Sequence, residues 1–171
     1  MRNVEATPTD ARMRILQAAS RVTRREGAIA LTLDATAKEA GVSKGGLLYH
    51  FPSKEALVRG MLEYHLDTFE QGLQDSSKPF VQAYVEMGSY DGSDGLFQSL
   101  SAVLALYPEL LETVRERSQR WYAQAKRIDA LVAMLATDGL FMADLMGLEV
   151  APGKLRQKVL QRLLELAEEE S

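Results

Sequence analysis

Lys44, Tyr49, His50 and Lys54 lie close together in the stretch "SKGGLLYHFPSKEAL". All four are types that donate hydrogen bonds to phosphate, the chemistry of a nucleic-acid backbone contact. Gly45 and Gly46 stand side by side just after Lys44. Each costs about 1 kcal/mol relative to Ala inside a helix. At the leading end of a helix, two glycines let the backbone approach bases without side-chain collision. Taken alone, they fit a plain flexible loop equally well.

Few other chemistries are open to this chain. It has no cysteine, which excludes disulfides, Cys-ligated zinc and thiol nucleophiles. Its two histidines, His50 and His65, are fifteen residues apart and carry no HExxH spacing, so no metal site is expected. There is no glycine-rich phosphate loop and no capped nucleophile with a base beside it. An enzyme is therefore not expected, nor is any cofactor. His65 is expected to be structural.

The elements that must position these residues read almost wholly as helix, and the expected class is all-α. "TPTDARMRILQAASRVTRREG" begins with Thr7, Pro8 and Asp10 as cap, first-turn proline and first-turn acid. Ile15, Ala19 and Val22 follow the 3.6-residue period, and Gly27 is a natural stop. Thr32 can cap a second helix, Leu33–Ala40, and Gly41 can end it with a positive φ. Ser43 can cap the next helix, with Val42 wedged between the two. Helix, Gly, x, Ser, helix is the arithmetic of a helix-turn-helix, whose second helix reads the major groove. From Ser53 a long amphipathic helix should run to about Gln74. Beyond it, spacing predicts helices around Phe80–Met87, Leu96–Tyr107, Leu110–Ala125, Ile128–Leu145 and Leu155–Leu166. "GSYDGSDG" reads as a loop and "EVAPG" as a turn.

Charge agrees with this division. Residues 1–65 carry a net +3 and residues 66–171 a net −7, so a polyanion-facing head sits on an acidic body. No apolar run approaches the roughly 18 residues that span a bilayer, and "MRNVEATPTD" has no signal-peptide core. No membrane partner and a cytoplasmic location are the expectation.

"TLDATAKEAGVSKGGLLYHFPSKEALV" resembles the DNA-binding signature of the tetracycline-repressor (TetR) family of bacterial transcription regulators. The likeness runs from about Thr9 to Leu62, and "DGLFMADLMGL" resembles the penultimate helix of many members. The resemblance implies a helix-turn-helix DNA-binding domain over residues 1–52. It also implies a ligand-binding and dimerisation domain over 53–171. It implies a homodimeric repressor bound to a palindromic operator on double-stranded DNA and released by a small molecule. The alternative is a regulator with no small-molecule ligand, switched by a partner or constitutive. By position, Thr32 matches a phosphate contact, and Ser43, Lys44, Gly45 and Gly46 match the leading edge of the recognition helix. Tyr49, His50 and Lys54 match phosphate contacts. Three positions depart from the family pattern. Thr36 replaces a bulky aliphatic, Gly46 stands where Thr is common, and Asp34 lies where a basic residue is often seen.

The body is rich in aromatic and methionine residues. Phe97, Leu100, Leu104, Tyr107, Trp121 and Phe141 are expected to line an apolar ligand pocket, although Trp121 and Tyr122 suit a core equally. The acidic body disfavours an anionic ligand and leaves a neutral or cationic apolar one. Gly139, Ala143 and Gly147, spaced by four, suggest close helix–helix approach. Gly139, Met142, Ala143, Met146, Leu160 and Leu163 are the expected dimer face.

Overall fold

A computed structural model of the chain describes residues 8–27, 30–88 and 107–168. They form α1 (Pro8–Glu26), α2 (Leu33–Ala40), α3 (Lys44–His50), α4 (Lys54–Asp75) and α5 (Phe80–Gly88). A 3-10 turn at Pro108–Leu110 leads into α6 (Leu111–Tyr122), then α7 (Ile128–Leu145) and α8 (Lys154–Glu168). The described residues contain no strand. Of the helices read from spacing, Leu96–Tyr107 lies almost wholly outside the described residues, as does the "GSYDGSDG" loop.

Two compact units divide these elements. The first holds the described residues up to Leu66 together with 107–111; the second holds 67–88 and 112–168. The first unit thus continues past Pro52, where a domain end was expected. The cause is the inner face of α4. Leu57, Val58, Met61 and Leu62 are as fully buried as Ile15, Leu16, Ala19 and Val22 of α1. Gly60 of α4 lies so close to Phe51 and Leu16 that a Cβ there would stand 2.6 Å from Phe51 Cε1.

Buried threonines show how this core handles polar groups. Thr23 donates its hydroxyl to the Ala19 carbonyl at 2.8 Å, and in the second unit Thr137 likewise donates to the Ala133 carbonyl at 2.8 Å. Thr36 is fully buried in α2, and its Oγ1 has no hydrogen-bond partner. The departure seen in the sequence thus places an unsatisfied hydroxyl where an aliphatic side chain would fit.

The core of the second unit brings together Leu73, Val81, Tyr84, Val85, Ala130, Ala133, Met134, Leu140, Leu163 and Ala167. Two features differ from the spacing argument. Gly147 lies beyond the end of α7 with φ 68°, and Leu148 N–H donates to Ala143 O at 2.8 Å. That is a left-handed helix stop of the Schellman type. The four-residue stripe of small residues therefore does not run along one helix. Ala143 and Leu163 are buried within the chain's own core, which removes them from a face open to a second copy. Gly139, Met142 and Met146 are exposed, and Leu160 is half-buried.

Candidate nucleic-acid interface

The turn between α2 and α3 is built as its residue types dictate. Gly41 takes φ 65° and ψ 34°, a left-handed conformation that costs glycine nothing. Its N–H reaches Lys38 O at 3.3 Å, and Val42 N–H reaches Ala37 O at 3.0 Å. These bonds close α2. Ser43 then turns extended, and its Oγ accepts from Gly46 N–H at 3.0 Å. Thr32 caps α2 in the same way, accepting from Ala35 N–H at 3.1 Å, and Ser53 caps α4 through Ala56 N–H at 3.0 Å. Each capping hydroxyl keeps its own proton free to donate to an outside acceptor.

Only one side of α3 is anchored. Leu47 is fully buried, and Phe51, whose N–H closes the helix on Leu47 O at 2.8 Å, is nearly so. Everything else on α3 is exposed or half-buried. Tyr49 is 82% exposed and lies edge-on to His50, with ring centroids 5.1 Å apart. Lys44, Gly45 and Gly46 are exposed, while Lys54 is half-buried. The structure thus gathers Ser43, Lys44, Gly45, Gly46, Tyr49 and His50 on one short helix and its cap. Thr32 and Lys54 begin the helices on either side.

The two glycines have different surroundings. A Cβ on Gly46 would stand 3.2 Å from Ser43 Oγ, so the capping serine itself favours glycine there. A Cβ on Gly45 would meet nothing. Among the described residues nothing accounts for glycine at position 45.

Sequence reasoning marked Asp34 as a departure but foresaw neither its contact with Lys44 nor the part played by the buried Gly60. Asp34, in the first turn of α2, pairs with Lys44 Nζ at 2.9 Å. Gly60 forms the socket for the Phe51 ring. Asp34 carried a signal as an acid in a basic head. Gly60 carried one as a glycine inside a helical pattern, as did Gly72 of the same helix. The other acid between Leu33 and Phe51, Glu39, is tied to Arg21 at 2.8 Å and Arg25 at 3.1 Å, which hold its carboxyl below the usual range. His65 is half-buried on α4, and burial pushes its pKa down.

Of the expected pocket residues, Phe97, Leu100 and Leu104 lie outside the described residues. Tyr107 is half-buried in the first unit, and Trp121 and Phe141 are half-buried in the second. Trp121 joins an aromatic group. Its ring lies 5.1 Å from Phe69 and 6.2 Å from Tyr84, and Tyr84 lies 6.5 Å from Tyr122. Carboxylates border this group. Trp121 Nε1–H donates to Glu70 at 3.2 Å, Tyr84 donates to Asp138 at 2.9 Å, and Tyr122 also donates to Asp138. Burial pushes Asp138 above the usual carboxylate range, while the two tyrosine hydrogen bonds act against that shift. Burial also raises both tyrosines, with Asp138 adding to the effect, so their hydroxyls stay protonated as donors.

Known proteins share this arrangement. Residues 15–61 match the family described as bacterial regulatory proteins, tetR family. Residues 78–168 match the tetracyclin repressor-like C-terminal domain. The second match alone covers more than half of the chain, and the chain belongs to the TetR family. An uncharacterised HTH-type transcriptional regulator of Bacillus subtilis (strain 168), YfiR, is 30% identical over 122 residues. That match covers 69% of this chain and 58% of YfiR, so the chain spans little more than half of that relative. Salmonella enterica GusR superposes with a TM-score of 0.68 at 19% identity, over 96% of this chain and 99% of GusR. A transcriptional regulator of Saccharomonospora viridis, solved in complex with choline, gives a TM-score of 0.68 at 21% identity. It is covered over 97% of its length, against 95% of this chain. At such identities the structural likeness speaks to the fold. No helix among the described residues is long and apolar enough to cross a membrane.

Proposed function

We propose that the chain is a DNA-binding transcriptional repressor that acts as a homodimer on a palindromic operator and is released by a small apolar ligand. The observation that carries the DNA contact is Gly45. It sits on the exposed edge of α3 with open space, among the described residues, where its Cβ would be, so a need for glycine there would come from outside them. A duplex pressed against the start of α3 supplies that need, with Lys44 at its leading edge and Tyr49, His50 and Lys54 around it to hold phosphates. The test is Gly45→Leu in a duplex-binding titration. The variant should stay folded and lose binding; undiminished binding would refute the close approach.

Dimerisation is supported by an exposed apolar line along α7 and its C-terminal cap: Ile128, Leu131, Val132, Leu135, Met142 and Met146. So much apolar surface on one side of one helix suits burial against a second copy. In such a dimer the two α3 helices would stand about 34–36 Å apart, one turn of DNA. The ligand reading rests on the aromatic group around Tyr84 with Glu70 and Asp138 beside it. The aromatic faces, with Asp138 beside them, favour a neutral or cationic apolar molecule over an anion, Glu70 being already paired with Arg117 at 2.9 Å. The choline bound by the Saccharomonospora viridis regulator is a quaternary ammonium cation.

A further inference from the structure

Lys44 and Asp34 face each other across the helix-turn-helix, with Nζ 2.9 Å from one carboxylate oxygen and 3.2 Å from the other. Their side chains are 62% and 71% exposed. An ion pair so open to water adds little to stability. Its position gives it another consequence, because Lys44 begins the helix proposed to meet DNA. From the geometry we infer that Asp34 is a brake on sequence-independent DNA binding: it neutralises Lys44, so that the leading edge of α3 gains nothing from a phosphate alone. The inference rests on the DNA reading above.

A free lysine that contacts a phosphate releases condensed counterions, which makes binding steeper in salt and tighter at low salt. Lys44 paired with Asp34 brings no net charge. Moving it to a phosphate leaves the Asp34 carboxylate unpaired beside a polyanion. Asp34 is also the exposed acid here, since Glu39 is held by Arg21 and Arg25. The pair opens without loss only where the duplex offers an acceptor for Lys44 and a donor for Asp34 together. A phosphate provides only the first. A G·C pair provides both in the major groove, through guanine O6 and N7 and the cytosine N4 amino group. The pair therefore lowers affinity for arbitrary DNA more than for a site with such a base pair in place.

The experiment needs no operator. Binding of the full chain to a fluorescent duplex of mixed sequence is followed by anisotropy across a range of NaCl concentrations. The proteins are the unmodified chain, Asp34→Asn, Lys44→Gln, the double variant and Lys54→Ala. Asp34→Asn should steepen the log–log salt dependence by about 1 for each engaged head. It should tighten binding about eightfold per engaged head near 0.1 M salt, converging with the unmodified chain toward 1 M. Most of that gain should vanish in the Lys44→Gln background. Unchanged slope and affinity for Asp34→Asn, with Lys54→Ala still flattening the slope, would overturn the brake and leave the DNA reading standing. The same gain with and without Lys44 would also overturn it, because Asp34 would then act by simple repulsion. No binding by any of the proteins at low salt would overturn both.

Discussion

Three glycines within helices, at positions 45, 46 and 60, sit in three different surroundings, and the same substitution to alanine should give three different results. In open helix, alanine gains up to about 1 kcal/mol over glycine. Gly45 is such a site, since its added methyl meets nothing. Gly45→Ala should therefore stabilise the free protein by up to that amount. At Gly46 the methyl would lie 3.2 Å from Ser43 Oγ, the oxygen that caps α3. A lost cap costs about 1 kcal/mol, so gain and loss nearly cancel. At Gly60 the methyl would lie 2.6 Å from Phe51 Cε1 and 3.4 Å from Leu16 Cδ2. An ordinary carbon contact is about 3.5–4.0 Å, so the Phe51 ring must retreat by about 1 Å within a packed core. Overpacking of this kind costs about 1–3 kcal/mol, which leaves Gly60→Ala destabilised by up to about 2 kcal/mol after the helix gain. Urea unfolding followed by circular dichroism measures all three. Phe51 also ends α3, so Gly60→Ala should weaken duplex binding although it touches no DNA. An order other than Gly45→Ala above Gly46→Ala above Gly60→Ala would refute this account. So would a Gly60→Ala protein as stable as the unmodified chain.

Thr36→Val should stabilise the first unit by about 1–3 kcal/mol, because it removes a buried hydroxyl without a partner at nearly constant shape; a loss of stability in urea would show that the hydroxyl is satisfied. Leu135→Arg, on the exposed line of α7, should convert a dimer to monomers by light scattering, whereas a dimer that survives it uses another face. His65 has a folded pKa below its unfolded value of about 6.5, so the folded state binds fewer protons. Its contribution is present above that pH and lost as pH falls toward the folded pKa. The urea midpoint should drop as pH falls below about 6.5, and His65→Gln should lessen the drop. Trp121, the one tryptophan of the chain, should report apolar cations such as quaternary ammonium compounds by fluorescence. Affinity for each should fall when operator is bound, since coupling between two sites is reciprocal; equal affinity with and without DNA would exclude that compound as the releasing ligand.

The helix-turn-helix was legible because its determinants act within a few residues of themselves. Gly41 closes α2 through bonds to Ala37 and Lys38, and Ser43 caps α3 through Gly46. Such rules need no knowledge of the rest of the fold. The contacts that sequence did not reveal are tertiary. Nothing in the order of residues says that Asp34 meets Lys44 across a turn, or that Phe51 comes to rest on Gly60.

The dimer face was hard to read for a different reason. α7 is apolar on almost every side, so periodicity cannot tell its inner face from its outer one. Packing settles that question. Ala130, Ala133, Met134, Thr137 and Leu140 turn inward, and Ile128, Leu131, Val132, Leu135 and Met142 are left exposed. The small residues that suggested a seam have local roles instead: Ala143 fills the core and Gly147 stops the helix. An exposed line of large aliphatic side chains, on a helix already satisfied on its inner side, has no use in an isolated chain and favours aggregation. Its extent along α7 is therefore a stronger argument for a second copy than the glycine spacing was.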